Sequence, residues 1–313
     1  MNIAILGAGA MGCLFAAQLT LSGNQVQLID VDPTTISAIR DQGITLTLEG
    51  SAPQRVCLPI HTADQLQVGF DLVLVLTKGT VTSAAVASVS HLLTPNTRVF
   101  SLQNGLGNAD LIAQYVAPAN VLHGVTTIAA DLQKPGEVHG NCQGSIHWWS
   151  YCGEESPFMR PLNEVLLKAG FNSYLDDQTE SRIWEKVAFN AALNGLCTLL
   201  DASVSVVDGH REGQRLIQRV VKECSMVARQ LNVAFDQPRV MGNIAHAVAH
   251  QGHHLPSMLQ DRRACRATEV EAIHGAILRI AEQHCVHTPT IDTLYGLLKL
   301  GEPPLANHQA AYP

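Results

Sequence analysis

Lys186, Asn190 and Asn194 recur at intervals of four in the stretch Ile183-Trp184-Glu185-Lys186-Val187-Ala188-Phe189-Asn190-Ala191-Ala192-Leu193-Asn194-Gly195. That spacing puts an amine and two amides on one face of a helix. The positions around them are almost all apolar. Polar groups in such surroundings need partners or a ligand. A lysine partly desolvated there has a lowered pKa and can donate a proton near neutral pH. The plain alternative is a solvated polar stripe on an ordinary helix.

A second pattern concerns phosphate rather than protons. Gly7-Ala8-Gly9-Ala10-Met11-Gly12 reads GxGxxG and directly follows the apolar run Ile3-Ala4-Ile5-Leu6. After a strand and before a helix, the first glycine permits a tight turn and the second lets the backbone approach a pyrophosphate. The third lets helix and strand pack closely. The helix start adds free N–H groups and a positive dipole end. Asp30 lies 18 positions beyond Gly12 (30 − 12), at the end of the next apolar run. A carboxylate there accepts hydrogen bonds from ribose hydroxyls and repels a 2′-phosphate, which favours NADH over NADPH. Asp30 could instead only start the following turn, with Asp32 capping the helix after Pro33.

Three further places could carry chemistry. Leu102-Gln103-Asn104-Gly105-Leu106-Gly107 follows one predicted strand and Lys78 follows another. Ligands of open parallel sheets bind at such carboxyl ends, although turn chemistry alone would also explain both. Ser257 and Glu269 stand in Ser257-Met258-Leu259-Gln260-Asp261 and Thr268-Glu269-Val270-Glu271, where a helix cap and a solvated acid are the plain readings. His246, His250, His253 and His254 are close together, but no acid lies between His246 and His250. The HExxH signature is therefore absent and no metal is expected.

The elements that must position these residues follow from hydrophobic periodicity. Strands are predicted at 2–6, 25–29, 71–76, 98–102 and 120–124, with helices at 10–21, 33–41, 80–91 and 107–116. Segments 44–48 and 56–60 alternate and suggest an added hairpin. Residues 126–151 read as antiparallel strands completing the same sheet, before a helix at 157–169 and a strand at 171–175. Strand–helix alternation implies an α/β domain with a mainly parallel, doubly wound sheet. From residue 178 the pattern turns helical, with helices predicted at 183–200, 209–231, 238–250, 258–284 and 289–299. The expected domains are 1–177, dinucleotide-binding, and 178–313, an all-helical substrate and catalytic domain. The last dozen residues are expected to form a loose tail.

Composition excludes several classes. The chain has 313 residues, 46% hydrophobic and 15% charged, so it is not disordered. A net charge of −7 argues against nucleic acid as a partner. No apolar run approaches the roughly 18–20 residues that span a bilayer, so no membrane association is expected. The eight cysteines show no CxxC spacing. With no basic leader before Ile3, they suggest reduced thiols of a cytoplasmic protein.

Taken together, GAGAMG, LQNGLG, WEKVAFNAALN and SMLQDRRACRATEVEAIHG resemble, in order and spacing, the ketopantoate reductase family (2-dehydropantoate 2-reductases) over nearly the whole chain. The resemblance implies an N-terminal Rossmann domain and NAD(P)H-dependent reduction of a small 2-keto acid to the 2-hydroxy acid. It implies Lys186 as proton donor and Glu269 as a catalytic acid near cofactor and substrate. Asn104, Asn190, Asn194 and Ser257 then contact substrate. Gly7, Ala8, Gly9, Ala10, Met11, Gly12, Asp30, Lys78, Asn104, Ala130 and Glu269 line the cofactor site. A homodimer is a fold-level expectation.

The chain departs from the family pattern at three places. Asp30-Val31 stands where NADPH-using members, the family default, carry an arginine. Asp201-Ala202-Ser203-Val204-Ser205 stands where ketopantoate-specific members can place another substrate asparagine, and His274-Gly275 stands where Asn-Gly often follows the late glutamate. The family also resembles NADH-dependent D-2-hydroxyacid (D-mandelate-type) dehydrogenases. A non-catalytic nucleotide-binding protein would need neither Lys186 nor Glu269.

Overall fold

A computed structural model describes residues 1–252 and 255–302. His253, His254 and the predicted tail lie outside the described residues. The chain divides into two compact units. One comprises 1–103 and 108–179; the other comprises 104–107 and 180 onward. The short segment 104–107, next to the strand that ends at Ser101, thus belongs with the helices of the second half.

The first unit opens with β1 (Asn2–Leu6), α1 (Ala10–Leu21), β2 (Gln25–Ile29) and α2 (Pro33–Gln42). Next come β3 (Ile44–Leu48), β4 (Gln54–Val56), β5 (Ile60–His61), β6 (Leu72–Val75), α3 (Thr82–Ser88), β7 (Arg98–Ser101) and α4 (Asn108–Ile112). It closes with β8 (Val121–Thr126), β9 (Ala129–Lys134), β10 (Glu137–Asn141), β11 (Ser145–Ser150), α5 (Met159–Lys168) and β12 (Asn172–Leu175). Eight strands form one sheet in the order β12-β11-β8-β7-β6-β1-β2-β5. All its neighbours are parallel except β8 with β11. Both faces of a parallel sheet are covered by helices, so its central strands read as continuous apolar runs rather than alternating ones. β6, Leu-Val-Leu-Val, is buried at all four positions.

Two predictions fail here. Residues 129–141 do not complete the main sheet: β9 and β10 join β3 and β4 in a second sheet of order β4-β3-β10-β9. The predicted strand at 56–60 is also two pieces. β4 pairs with β3, whereas β5, beyond Pro59, pairs with β2 at the edge of the main sheet. α1 packs against strands of both sheets. This explains why Cys13, Leu14, Phe15, Ala16, Ala17 and Leu19 are all buried, leaving almost no polar face.

The second unit is helical throughout its described residues. Its helices are α6 (Thr179–Leu200, entered from the first unit), α7 (Val204–Asp208), α8 (Arg211–Gln230), α9 (Gln237–Gln251), α10 (Ser257–Arg263), α11 (Ala276–Gln283) and α12 (Pro289–Leu300). α6 is its central rod; Trp184, Val187, Ala188, Ala191, Ala192, Leu193, Leu196 and Cys197 are buried in one core with residues of α8, α9 and α12. Buried Glu185, beside Lys186 in sequence, is spent on structure: Arg239 donates to it from Nε at 2.7 Å and the Asp236 N–H at 3.2 Å. Charged groups this deep persist only when paired.

The predicted helix at 258–284 is broken. α10 ends at Ala264-Cys265, where Cys265 takes φ 52°, and the Arg266 N–H closes back on the Asp261 carbonyl at 2.8 Å. Thr268 then accepts from the Val270 N–H with its hydroxyl, 3.3 Å, and starts the next helical run. That run opens with a π-helical turn at Glu271–Gly275. No glycine or proline marks the break, so periodicity alone misses it. Among the described residues, no helix is long and apolar enough to cross a membrane.

Candidate active site

In the first unit the glycine loop closes β1 onto α1. Gly7 takes φ +96°, which a side chain would strain. A Cβ on Gly12 would lie 1.8 Å from the Gly7 carbonyl oxygen, so strand and helix approach as closely as they do only because that Cβ is missing. Gly9 caps α1, and nothing lies within 4 Å of where its Cβ would be. The first-turn N–H groups of α1, from Ala10 and Met11 onward, have no partner within the helix. Such a loop fits a pyrophosphate.

Asp30 is fixed beside this loop. One carboxylate oxygen accepts from the Ala8 N–H at 2.6 Å; the other accepts from Val31 and Asp32 N–H at 2.8 and 2.9 Å. The turn reading and the ribose reading both meet structure here, since Asp32 also caps α2 through Thr34 and Thr35. Asp30 nevertheless opens onto a cavity of about 500 Å³ with Gly7, Val31, Asp64, Ser88 and His91. No lysine or arginine lines it. The size and the carboxylate fit the adenosine half of a dinucleotide. Asp64, Ser88 and His91 were not predicted, because they arrive from two short 3₁₀ turns and the end of α3, which only the sheet order brings beside β1 and β2. Lys78 is exposed ahead of a 3₁₀ turn after β6, and Ala130 is half-buried on β9.

In the second unit three distant stretches meet. Asn104, on the segment that crosses from the first unit's sequence, donates from Nδ2 to Glu269 Oε2 at 3.1 Å across 165 residues of sequence. Glu269 is buried just ahead of the π turn. Lys186 on α6 feels that carboxylate. Burial pulls the amine down to about 8, and the negative charge of Glu269 partly opposes the drop. Asn190 and Asn194 follow on α6 at 7% and 5% exposure. No hydrogen bond to another described side chain or backbone group engages either amide, which leaves both available to a polar ligand. Ser257 stands exposed at the first turn of α10, with no described hydrogen bond to Lys186, Glu269 or Asn104. The predicted residues therefore form two groups. A charge-poor cradle of backbone amides with one carboxylate lies in the first unit. An amine, a carboxylate and three amides lie in the second.

Among the described residues no three His, Cys, Asp or Glu side chains come together as ligands would, and His246 and His250 stack ring on ring at 4.1 Å. All eight cysteines are free. Burial pushes Cys13, under the glycine loop, up to about 12, so it stays a thiol and donates to the Ala8 carbonyl at 3.2 Å.

The family described as "Ketopantoate reductase PanE/ApbA" matches residues 3–151, and "Ketopantoate reductase PanE/ApbA C terminal" matches residues 178–302. The 2-dehydropantoate 2-reductase of Lactococcus lactis subsp. lactis is 31% identical over 307 residues, covering 95% of this chain and 97% of its own. That of Pyrococcus abyssi is 30% identical over 299 residues, with 96% and 97% covered. Among solved structures, the ternary structure of D-mandelate dehydrogenase with NADH and anilino(oxo)acetate is 30% identical with a TM-score of 0.92, covering 96% of this chain and 98% of that one. The chain belongs to the ketopantoate reductase family and is an NAD(P)H-dependent oxidoreductase of that family.

Proposed function

We propose that the protein reduces a 2-keto acid to the 2-hydroxy acid and prefers NADH. The observation that carries the chemistry is the grouping of half-buried Lys186 and Asn104 around buried Glu269, with buried Asn190 and Asn194 on the same helix as Lys186. Reduced nicotinamide supplies the hydride. As the keto oxygen gains negative charge, the Lys186 ammonium stabilises it and donates the proton from Nζ. Glu269 keeps that amine protonated near neutral pH by opposing the desolvation that lowers it. Asn104 holds the Glu269 carboxylate in place, while Asn190 and Asn194 bind the substrate carboxylate or hydroxyls. With Ser257 exposed, its part is contact with substrate rather than proton transfer. Lys78 and Ala130 line the cofactor.

The preference for NADH rests on Asp30 and on a cavity lined by no lysine or arginine, where a 2′-phosphate would meet the carboxylates of Asp30 and Asp64. The same feature, with the likeness to an NADH-bound D-mandelate dehydrogenase, favours a second reading of the substrate: an aromatic or branched 2-keto acid rather than ketopantoate. A cytoplasmic setting fits eight unpaired thiols. Coenzyme oxidation with NADH or NADPH against ketopantoate, phenylglyoxylate and branched 2-keto acids tests both readings. Turnover is expected, faster with NADH. No turnover with any pair would leave a nucleotide-binding protein, and faster turnover with NADPH would overturn the role of Asp30.

A further inference from the structure

The π-helical turn Glu271–Gly275 touches every stretch that carries the reacting groups of the second unit. Glu269 lies directly ahead of it, with its carbonyl accepting from the Ile273 N–H at 3.0 Å. The Ala272 carbonyl accepts from the Leu106 N–H at 2.9 Å, holding the segment that carries Asn104. Glu271 accepts from Tyr295 and Lys299 at 2.9 and 3.0 Å, anchoring the turn on α12. His274 reaches α6: its Nε2 is 3.0 Å from the Ala191 carbonyl, between Asn190 and Asn194 in sequence.

His274 is 0% exposed. Since a carbonyl only accepts, Nε2 carries the proton, and Nδ1 is left as a buried acceptor with no partner among the described residues. The ring lies over Gly195, where a Cβ would come within 2.7 Å of Nε2. Burial holds the imidazole down near 4, so it is neutral at the near-neutral pH where Lys186 titrates. A polar ring with one nitrogen unsatisfied costs more than an apolar side chain of similar size in the same place. Packing alone therefore does not account for it.

We propose that His274 is a positioning residue, seated in the notch left by Gly195, that fixes the rotation of α6 and thereby aims Lys186, Asn190 and Asn194 at the Glu269–Asn104 pair. Ala191 and Gly195 are one helical turn apart on one face, and the reacting side chains leave neighbouring faces of the same rod. A bond at Ala191 thus sets the direction in which those side chains point. The role rests on the reading of these residues as the reacting centre.

The test compares His274→Ala, His274→Gln and Gly195→Ala with the parent, on the keto acid turned over fastest, reading kcat, both KM values and Tm. His274→Ala is expected to lower kcat on the order of ten- to a hundredfold, with the KM for NADH unchanged. Glutamine, whose amide can donate to the same carbonyl, is expected to recover most of kcat. Gly195→Ala, which displaces the ring while keeping it, is expected to repeat the loss, and it decides the matter if His274→Ala does not fold. A lowered Tm with kcat unchanged, or glutamine no better than alanine, would overturn the role. A parent inactive on every keto acid would overturn the functional reading and this role with it, whereas an active parent beside a fully active His274→Ala overturns this role alone.

Discussion

The glycine loop and the lysine centre solve different problems by different means. On the proposed function Gly7 to Gly12 binds with backbone: its requirements are a left-handed residue, a missing Cβ and a helix start, all within six consecutive residues. The centre around Lys186 works with side chains, and it exists only because residues 104, 186 and 269 are folded together in one unit. In the first, chemistry follows from local conformation. In the second, chemistry follows from burial, which lowers an amine, and from a buried carboxylate, which limits the drop.

Four substitutions would break or sharpen this contrast. Lys186→Ala is expected to lower kcat by roughly 10²–10⁴-fold, the usual worth of a general acid, while NADH still binds with parental affinity. Single-turnover kinetics beside fluorescence titration of NADH checks it; an equal loss of binding would show that the two groups are not separable. Gly12→Ala should do the reverse. The added methyl has no room against the Gly7 carbonyl, so the loop is expected to lose about 1–3 kcal/mol and NADH affinity with it. Calorimetric titration beside a thermal melt measures both.

Asp30→Asn removes charge at nearly constant shape. The ratio of kcat/KM for NADH over NADPH is expected to fall on the order of tenfold, the size of one lost repulsion or hydrogen bond. The smallest effect concerns pH. On the proposed mechanism reduction needs the Lys186 ammonium, so kcat is expected to fall as pH rises through about 8. Glu269 raises that value, so Glu269→Gln should move the alkaline limb to lower pH, read from kcat–pH profiles of the two proteins. A limb that stays in place would separate Glu269 from the proton.

Legibility followed the range of the interactions. The central strands β1 and β6 could be read because a parallel sheet buries both faces and leaves continuous apolar runs. The 129–141 hairpin could not, because its alternation is the same whichever sheet it joins; only packing against α1 selects the second sheet. The break before Glu269 was hidden for another reason. It depends on Cys265 in a left-handed conformation and on the Arg266–Asp261 closure, neither a residue-type signal. His274 could be seen in the sequence only as a place where asparagine is usual in relatives of this kind. Its bond to Ala191 spans 83 residues.

What the sequence by itself determined is what periodicity and local backbone need: a parallel sheet with a dinucleotide loop, an acid after the second strand, and a helix presenting Lys186, Asn190 and Asn194 at one-turn intervals. Spacing along a helix or a turn is set by bond geometry and is written in the residue order. What only the tertiary structure decided is which carboxylate meets that amine, how far burial lowers it, and which side chains wall the cavity beside Asp30. Those depend on distances between chain segments far apart in sequence, and desolvation and charge act through space rather than along the chain.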